Sequence, residues 1–403
     1  MDVEAFVSRE RGEIRPTINR SLAFHPAPLP REIALPPETV ALLSSATGAL
    51  YNLGGTGRLL PNPDLLIIPY IRAEAVLSSK IEGTESTISD ILKVQVQDES
   101  SVPRGDVREV LNYVRAMDHG LARLREGMPL CLRLVKEMQE ILLAGVRGQK
   151  RRGEFRDEQN WIGPPECRLE DATYVPPPVD YMHEALADWE KFLHLDAARM
   201  PILVKVALAH YQFEAIHPFF DGNGRIGRLM IPLTLVAEGA LSAPLLYLSV
   251  YFERRRTTYY RHLLETSQSG ELLPWVEFFL EGVRSQAVDA QARTVRLVEE
   301  QRSLRQRLMD SNAPTSVLAL AESLLVNPYV TSTQAMRIVS GTRPTAQKAI
   351  DTLAGMGVLV EMTGQRRNRL YFAPSIYEAI YGDFEARDNS REEGPREATQ
   401  AAD

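Results

Sequence analysis

Cysteine is scarce in this chain, which has only Cys131 and Cys167 among its 403 residues. Two cysteines cannot make the disulfide framework of a small secreted domain, so a reducing compartment is the economical expectation. The sequence has no apolar run of transmembrane length, and its first residues lack the apolar segment of a signal peptide. We therefore expect a cytoplasmic protein without a membrane span.

An excess of positive charge is also missing. The formal net charge of −7 argues against general binding to polyanions, and the chain has no lysine-bearing P-loop for nucleotide phosphates. Its 44% hydrophobic and 25% charged residues are typical of soluble globular proteins. A chain of 403 residues is long enough for two or three domains.

One short stretch, residues 217–228, contains a histidine, an aspartate, three glycines and two arginines. An apolar run of helical spacing follows Pro201, and Pro218 is expected to end that helix near Ile216, which leaves His217 at the boundary with a loop. A second helical pattern covers residues 226–240. The glycines therefore fall at a helix N-terminus, where free N–H groups and the helix dipole favour an anion.

These residue types suit the transfer of a phosphorus-containing group. Successive N–H groups at the helix start can bind phosphate oxygens, and Arg225 and Arg228 can add charge-assisted contacts. Asp221 is a hard oxygen ligand that can hold Mg²⁺ between two phosphates. His217 titrates near neutral pH and is the natural general base for a hydroxyl nucleophile.

Other interpretations fit the stretch less well. The three glycines satisfy G-x-G-x-x-G, but a dinucleotide fingerprint follows a strand, and here a helix precedes it. His210, His217 and Asp221 do not have the spacing of the usual helical zinc motifs, and a structural role suits His210 better. An ordinary glycine-rich turn does not explain a base, an acid and two arginines together.

Residues 217–228 resemble the Fic signature, H-x-F-x-[D/E]-G-N-G-R-x-x-R, at every position. Residues 209–216, 153–156 and 275–280 resemble neighbouring segments of that family, so the resemblance covers roughly the first 285 residues. It implies an all-α Fic/Fido core that transfers AMP from ATP to a Ser, Thr or Tyr hydroxyl of a protein. In that scheme His217 is the base, and Asp221 holds Mg²⁺.

The resemblance also implies which residues bind the nucleotide. They are Gly222, Asn223, Gly224, Arg225, Arg228, Tyr259 and Tyr260. Arg228 would hold the γ-phosphate, while a direct role for Arg225 is a weaker inference. The two tyrosines resemble a nucleotide-side aromatic pair, with packing as the alternative for at least one of them.

A second informative stretch, residues 68–83, is predicted to be a helix. Pro69 fits its first turn, and Gly83 fits the position just past its end. Ser78 and Glu82 lie four residues apart on one face. Glu82 is then in the last turn, where the helix dipole disfavours a carboxylate, and such a locally unfavourable residue often marks a functional site.

Residues 78–83 resemble the inhibitory motif [S/T]-x-x-x-E-[G/N] of Fic proteins. The resemblance implies that Glu82, with Ser78, pairs with Arg228 and so displaces the γ-phosphate of ATP. The alternative is a solvated charge at a helix end, and only the geometry of the site can decide between them.

The rest of the first 285 residues is less regular. Residues 1–65 are rich in proline and glycine, which predicts an ordered wrapping arm around a short helix near residues 37–52, with a turn at residues 54–57. Helices are expected at 107–124 and 130–144. Residues 161–165 and 172–178 read as short extended pieces, and they resemble the family's β-hairpin flap, which aligns a target segment by main-chain pairing.

Beyond a charged helical connector, the C-terminal part predicts a winged helix-turn-helix domain. Helices are expected at 315–326, 331–339 and 344–356, and strands at 358–361 and 369–372. Five basic residues are placed to contact phosphates, namely Arg343, Lys348, Arg366, Arg367 and Arg369. DNA binding is possible but not favoured, because such a module can equally dock proteins or itself.

We therefore expect five segments along the chain: an N-terminal Fic-associated region with the inhibitory helix (1–105), a Fic/Fido core (106–285), a helical connector (286–313), the winged helix domain (314–375) and a disordered tail (376–403). The expected function is a self-inhibited protein adenylyltransferase that uses ATP and Mg²⁺. Its protein target is unknown, and self-modification and a homodimer stay open. The alternatives are a DNA-binding regulator with a nucleotide-sensing Fic core, and a Fic enzyme that transfers another group or removes AMP.

Overall fold

The structure is a computed structural model that describes residues 1–385 except 9, 19, 59–63, 97–104, 147–150, 197–198 and 366–368. The chain forms two compact units. The first unit contains residues 1–59, 70–87 and 103–291, and the second contains residues 60–69, 88–102 and 292–403. This division differs from the linear order expected above, because residues 88–96 and the start of one helix join the C-terminal part.

Helices and one small hairpin build the first unit. Its elements are β1 (Gly12–Pro16), β2 (Leu22–Pro26), α1 (Pro37–Arg58), α2 (Asp64–Ile81, from Tyr70), α4 (Asp106–Arg125), α5 (Leu132–Leu142), α6 (Val179–Leu193), α7 (Ile202–Ile216), α8 (Asn223–Ala237), α9 (Ser249–Arg254), α10 (Arg256–Ser269) and α11 (Leu273–Asp310, to Gln291). A 3₁₀ turn lies at Leu169–Asp171.

Helix α7 is the centre of the first unit, because nearly all of its side chains are buried. Trp189 on α6 donates from Nε1 to the Ala209 carbonyl at 2.8 Å, and Trp275 on α11 donates to the Ala207 carbonyl at 2.8 Å. The two indoles attach neighbouring helices to α7 while their rings fill the core. Helix α7 ends at Ile216, as Pro218 predicts, and α8 begins at Asn223.

The N-terminal arm contains a hairpin that the sequence did not predict. Strands β1 and β2 pair antiparallel, with Gly12 opposite Pro26 and Pro16 opposite Leu22. Residues 54–57, expected to form a turn, continue helix α1 instead. Helix α2 begins at Asp64, so Pro69 lies inside the helix, beyond its first turn.

The two extended pieces predicted within residues 153–178 meet at one antiparallel bridge. The Ile162 N–H donates to the Tyr174 carbonyl at 2.8 Å, and the Thr173 and Tyr174 N–H groups both face the Ile162 carbonyl. Behind this bridge, the Phe24 N–H of β2 donates to the Val175 carbonyl at 2.9 Å. The hairpin of the arm therefore supports the segment that the sequence analysis compared with a flap.

The second unit combines short helices with a three-stranded antiparallel sheet of order β3-β5-β4. Its further elements are α3 (Ile88–Val96), α12 (Thr315–Leu324), β3 (Tyr329–Thr331), α13 (Ser332–Ile338), α14 (Arg343–Gly355), β4 (Val360–Glu361), β5 (Leu370–Phe372) and α15 (Pro374–Glu385). The carbonyls at the end of α3 accept from the side chains of Asn327, Thr331 and Gln334.

Helix α15 corrects the predicted start of the tail at residue 376. Four of its side chains, Ile376, Tyr377, Ile380 and Tyr381, are buried, which gives this segment an apolar face that a tail would lack. Residues 386–403 lie outside the described residues, as do Arg366 and Arg367. Among the helices that the structure does describe, none combines the length and apolarity needed to cross a bilayer.

Candidate active site

His217 caps the C-terminus of α7 and lies at the edge of a pocket of about 680 Å³ in the first unit. Its backbone is left-handed, with φ 49° and ψ 61°. Its Nδ1 is buried, so Nε2 is the nitrogen left to face the pocket. Burial, followed by the positive charge of Arg156, lowers the pKa of His217 to about 4. The imidazole is therefore neutral at physiological pH, as a general base must be.

The start of α8 lines the same pocket. Gly222 precedes the helix with φ 84°, a left-handed conformation that favours glycine, and Gly224 lies in the first turn. The Asn223 side chain is directed to the loop: its Oδ1 accepts from the Phe219 N–H at 2.8 Å, and its Nδ2 donates to the Phe219 carbonyl at 2.7 Å. The anion-binding groups of residues 222–224 are thus their backbone N–H groups.

Glu82 lies directly over this helix start and pairs with both arginines. Its Oε1 accepts from Arg228 at 2.7 Å, and its Oε2 lies 2.8 Å from Nε of Arg225. A Cβ atom placed on Gly224 would stand 2.5 Å from Glu82 Oε1, so only glycine allows this approach. The carboxylate thus occupies the position at the N-terminus of α8 where a phosphate oxygen would bind.

Ser78 completes the setting of Arg228. The Arg228 Nε donates to Ser78 Oγ at 2.8 Å, and one terminal nitrogen donates to the Ser78 carbonyl at 3.0 Å. Burial would raise the pKa of Glu82, but Arg225 and Arg228 outweigh it and lower that pKa below its usual value. Glu82 is therefore a charged partner of two buried guanidiniums, and the structure does not show the solvated helix-end charge considered above.

Asp221 lies between the pocket and Arg225. Its Oδ1 is 2.9 Å from a terminal nitrogen of Arg225, and its side chain is 38% exposed, which leaves Oδ2 accessible from the pocket. Among the described residues, no group of three His, Cys, Asp or Glu side chains is arranged to hold a metal. A single accessible carboxylate beside a phosphate-binding helix start nevertheless fits Mg²⁺, which commonly takes one or two protein carboxylates plus substrate phosphates.

The two tyrosines occupy different places. Tyr260 is 43% exposed, lines the pocket and donates to the Ile81 carbonyl at 3.3 Å. Tyr259 is fully buried, and its hydroxyl lies 2.9 Å from Nε2 of His210. His210 is itself buried, stacks on Phe252 and has a pKa lowered to about 3 by burial. Tyr259 and His210 are thus core residues in this structure, and Tyr260 is the tyrosine that faces the pocket.

Sequence reasoning missed several residues around the loop. Glu109 on α4 lies 3.1 Å from Arg225, and Glu214 on α7 lines the pocket with its Oε1 buried and unpaired. Burial raises the pKa of Glu214 to about 7. Arg156 and Asn160 donate to the carbonyls of the catalytic loop. The sequence analysis mentioned Arg156 only as part of a family segment, and a residue that binds backbone carbonyls leaves no spacing signal.

Comparison with known proteins matches two regions of the chain. Residues 40–122 match the Fic/DOC family N-terminal region, and residues 129–235 match the Fic/DOC family. A protein adenylyltransferase Fic of Drosophila ananassae is 29% identical over 171 residues, which are 42% of this chain and 31% of that protein. The chain therefore matches less than a third of the length of this relative.

Two solved structures share the fold. A Fic family protein from Desulfovibrio desulfuricans G20 superimposes with a TM-score of 0.55 at 21% identity, over 86% of this chain and 98% of the other. Fic-1 of C. elegans superimposes with a TM-score of 0.50 at 20% identity, over 66% of this chain and 75% of the other. At these identities the likeness concerns the fold alone.

Proposed function

We propose that this chain, which carries a Fic domain, is a protein adenylyltransferase that moves AMP from ATP to a Ser, Thr or Tyr hydroxyl of a protein and is inhibited by its own Glu82. One observation carries the proposal. A histidine kept neutral at pH 7, the free N–H groups of α8 and Arg228 line one pocket, so a base and a phosphate site face the same space.

The reaction follows from this placement. The neutral Nε2 of His217 accepts the proton of the target hydroxyl as its oxygen bonds to the α-phosphorus of ATP. The bond from that phosphorus to the bridging oxygen breaks, and pyrophosphate leaves with the electron pair. The N–H groups at the start of α8 and the Arg228 guanidinium stabilise the negative charge on the phosphates. Mg²⁺, held by Asp221, would neutralise further charge on them.

Inhibition follows from the same geometry. While Glu82 occupies the start of α8 and pairs with Arg228, the γ-phosphate has neither its cation nor its space. ATP then binds loosely or with its α-phosphorus out of line with the attacking oxygen. Misplacement of the reacting atoms is costly, since transfer needs the nucleophile and the leaving group roughly in line.

The test of the proposed function is covalent labelling with two forms of ATP. Purified Glu82→Gly protein, alone or in a cell lysate, is expected to attach label from α-³²P-ATP but not from γ-³²P-ATP, and a Glu82→Gly/His217→Ala protein is expected to attach none. Label from the γ-position would show phosphate transfer instead. UTP and CDP-choline, supplied in place of ATP, test the other group transfers, and loss of AMP from a premodified protein tests its removal.

The element order of the second unit supports a further part of the proposal. Helix α12, strand β3, helices α13 and α14, and strands β4 and β5 follow one another as in a winged helix domain. We propose that fold for residues 314–373. The cytoplasm is the proposed compartment, since a protein that uses ATP and has two unpaired cysteines suits a reducing environment.

A further inference from the structure

The backbone of the catalytic loop, residues 217–219, is held by three side chains from outside the signature's reactive groups. Arg156 donates from Nε to the His217 carbonyl at 3.1 Å, and its own backbone N–H donates to the Pro218 carbonyl at 2.8 Å. Asn160 donates from Nδ2 to the Phe219 carbonyl at 2.9 Å and to the His217 carbonyl at 3.3 Å. With Asn223 on Phe219, every carbonyl of the loop has a donor.

This support matters because His217 has an unfavourable backbone. A left-handed conformation brings Cβ close to the carbonyl oxygen and costs free energy in any residue other than glycine. Such a conformation persists only where its surroundings determine it. The bonds from Arg156 and Asn160 to the His217 carbonyl fix the peptide plane after the base, and so fix the direction of the imidazole.

Arg156 differs from Asn160 in its charge. Its side chain is only 1% exposed, and its remaining nitrogens donate to the carbonyls of Glu158 and Pro177. Among the ion pairs of the described residues, none includes Arg156. A buried guanidinium bound only by carbonyls keeps its full positive charge beside the loop.

We propose, on the basis of the proposed function, that Arg156 is a positioning residue for the transfer reaction. It holds the His217 carbonyl in the left-handed geometry and places an uncompensated positive charge beside the imidazole, which keeps the base neutral and directed into the pocket. Two other groups face His217, namely the Glu82 carboxylate and the backbone of Glu214, and both act in the opposite direction on its pKa.

The test compares three variants in the Glu82→Gly background. Arg156→Gln removes the charge, Arg156→Lys keeps the charge but loses the planar set of donors, and Asn160→Ala removes two loop hydrogen bonds without changing charge. Thermal unfolding and circular dichroism select the folded variants. The pKa of His217 is then measured by NMR of histidine-labelled protein without ATP, with the signal assigned by its loss in a His217→Asn protein.

We expect the His217 pKa to rise by at least about one unit in Arg156→Gln, because the positive charge is gone. It should stay low in Arg156→Lys and in Asn160→Ala. In all three variants kcat should fall by about tenfold or more, while KM for ATP changes little, because the imidazole is less well directed.

Each outcome decides the matter. An unchanged His217 pKa in Arg156→Gln would overturn the electrostatic part of the proposal. A parent kcat in folded Arg156→Lys would overturn the positioning part, and Arg156→Lys serves for both measurements if Arg156→Gln does not fold, since a raised pKa there contradicts a role of charge. If no variant, including Glu82→Gly itself, transfers AMP, the proposed function fails, but the NMR measurement still tests the effect of Arg156 on His217.

Discussion

Glu82 divides its two carboxylate oxygens between Arg228 and Arg225, and Arg225 in turn holds Asp221. The residue proposed to inhibit is therefore connected through one guanidinium to the residue proposed to hold Mg²⁺. The sequence resemblance implied a pair of Glu82 with Arg228 only. At the scale of single residues, the site is a chain of charges in which each partner constrains the next.

Replacement of His217 by alanine should lower transfer by about 10²–10⁴-fold while ATP binding is nearly unchanged, because the variant loses only the general base. The measurement is the rate of AMP attachment in the Glu82→Gly background, with the exposed His194→Ala as a matched control. A parent rate in the His217 variant would contradict the assigned mechanism.

The pH dependence of the same rate is a second prediction at this scale. The pKa of His217 is lowered to about 4, so the base is already neutral above that pH and gains its proton only as pH falls through 4. The rate of the Glu82→Gly protein should therefore show no loss on the acid side down to about pH 6. A steep decline between about pH 7 and pH 6 would mean that His217 titrates as an ordinary histidine.

Asp221 carries a further prediction, on metal dependence. Transfer should stop in excess EDTA and in Asp221→Ala, and Asp221→Asn should behave like Asp221→Ala, since the amide keeps the size but lacks the charge that holds Mg²⁺. The comparison of the three conditions uses the same AMP-attachment assay. Full activity in EDTA would exclude a role for Mg²⁺.

At the scale of elements, helix α2 and the N-terminus of α8 form the proposed switch. Glu82→Gly should raise AMP attachment, including self-modification, by roughly 10- to 150-fold, the range that corresponds to one charge-assisted bond of about 1.5–3 kcal/mol. Glu82→Gly combined with Arg228→Ala should not show the rise, because the released guanidinium is gone. Glu85→Gly, three residues along and exposed, is the control.

Two results would contradict this prediction in different ways. An unchanged rate and ATP affinity in Glu82→Gly would make the carboxylate a structural partner only. A double variant as active as the single one would mean that inhibition does not act through Arg228. Release by pH is not expected, because the lowered pKa of Glu82 keeps its ion pairs intact until pH falls below about 4.

The elements around the site could be predicted where a strong local rule applies. Pro218 ends α7 at Ile216, and the apolar pattern places α8, so the position of the loop followed from the sequence. The hairpin at residues 12–26 was missed because GEIRP and LAFHP lack a clear alternation of apolar and polar residues. Its pairing depends on the tertiary contact of β2 with Val175.

The site divides in the same way. Residues with reactive groups at fixed spacing, such as His217 and Arg228, could be found from the sequence. Arg156 and Asn160 act on backbone carbonyls, which every residue has, so no pattern announces them. Tyr259 and Tyr260 are adjacent in sequence, and only the packing of α10 shows that one is buried and the other faces the pocket.

At the scale of the whole molecule, the two units pose the question of DNA. The exposed basic residues at the start of α14 are Arg343 and Lys348, while the chain as a whole carries a net charge of −7. We expect no retention of duplex DNA at about 150 mM salt in a gel-shift assay, because few phosphates can be neutralised. Salt-sensitive binding that is lost in Arg343→Glu/Lys348→Glu would support the alternative of a DNA-binding regulator.

The pairing of Glu82 with Arg228 joins two positions of one chain that are 146 residues apart. A competitor built into the same molecule has an effective concentration that the fold sets and that dilution cannot change. The inhibited state is therefore as complete in a dilute assay as in a crowded cell, and raising or lowering the amount of protein does not alter the inhibited fraction. Only an event that changes the molecule itself, such as a bound partner or a covalent modification, can lower this local concentration of carboxylate and start the enzyme.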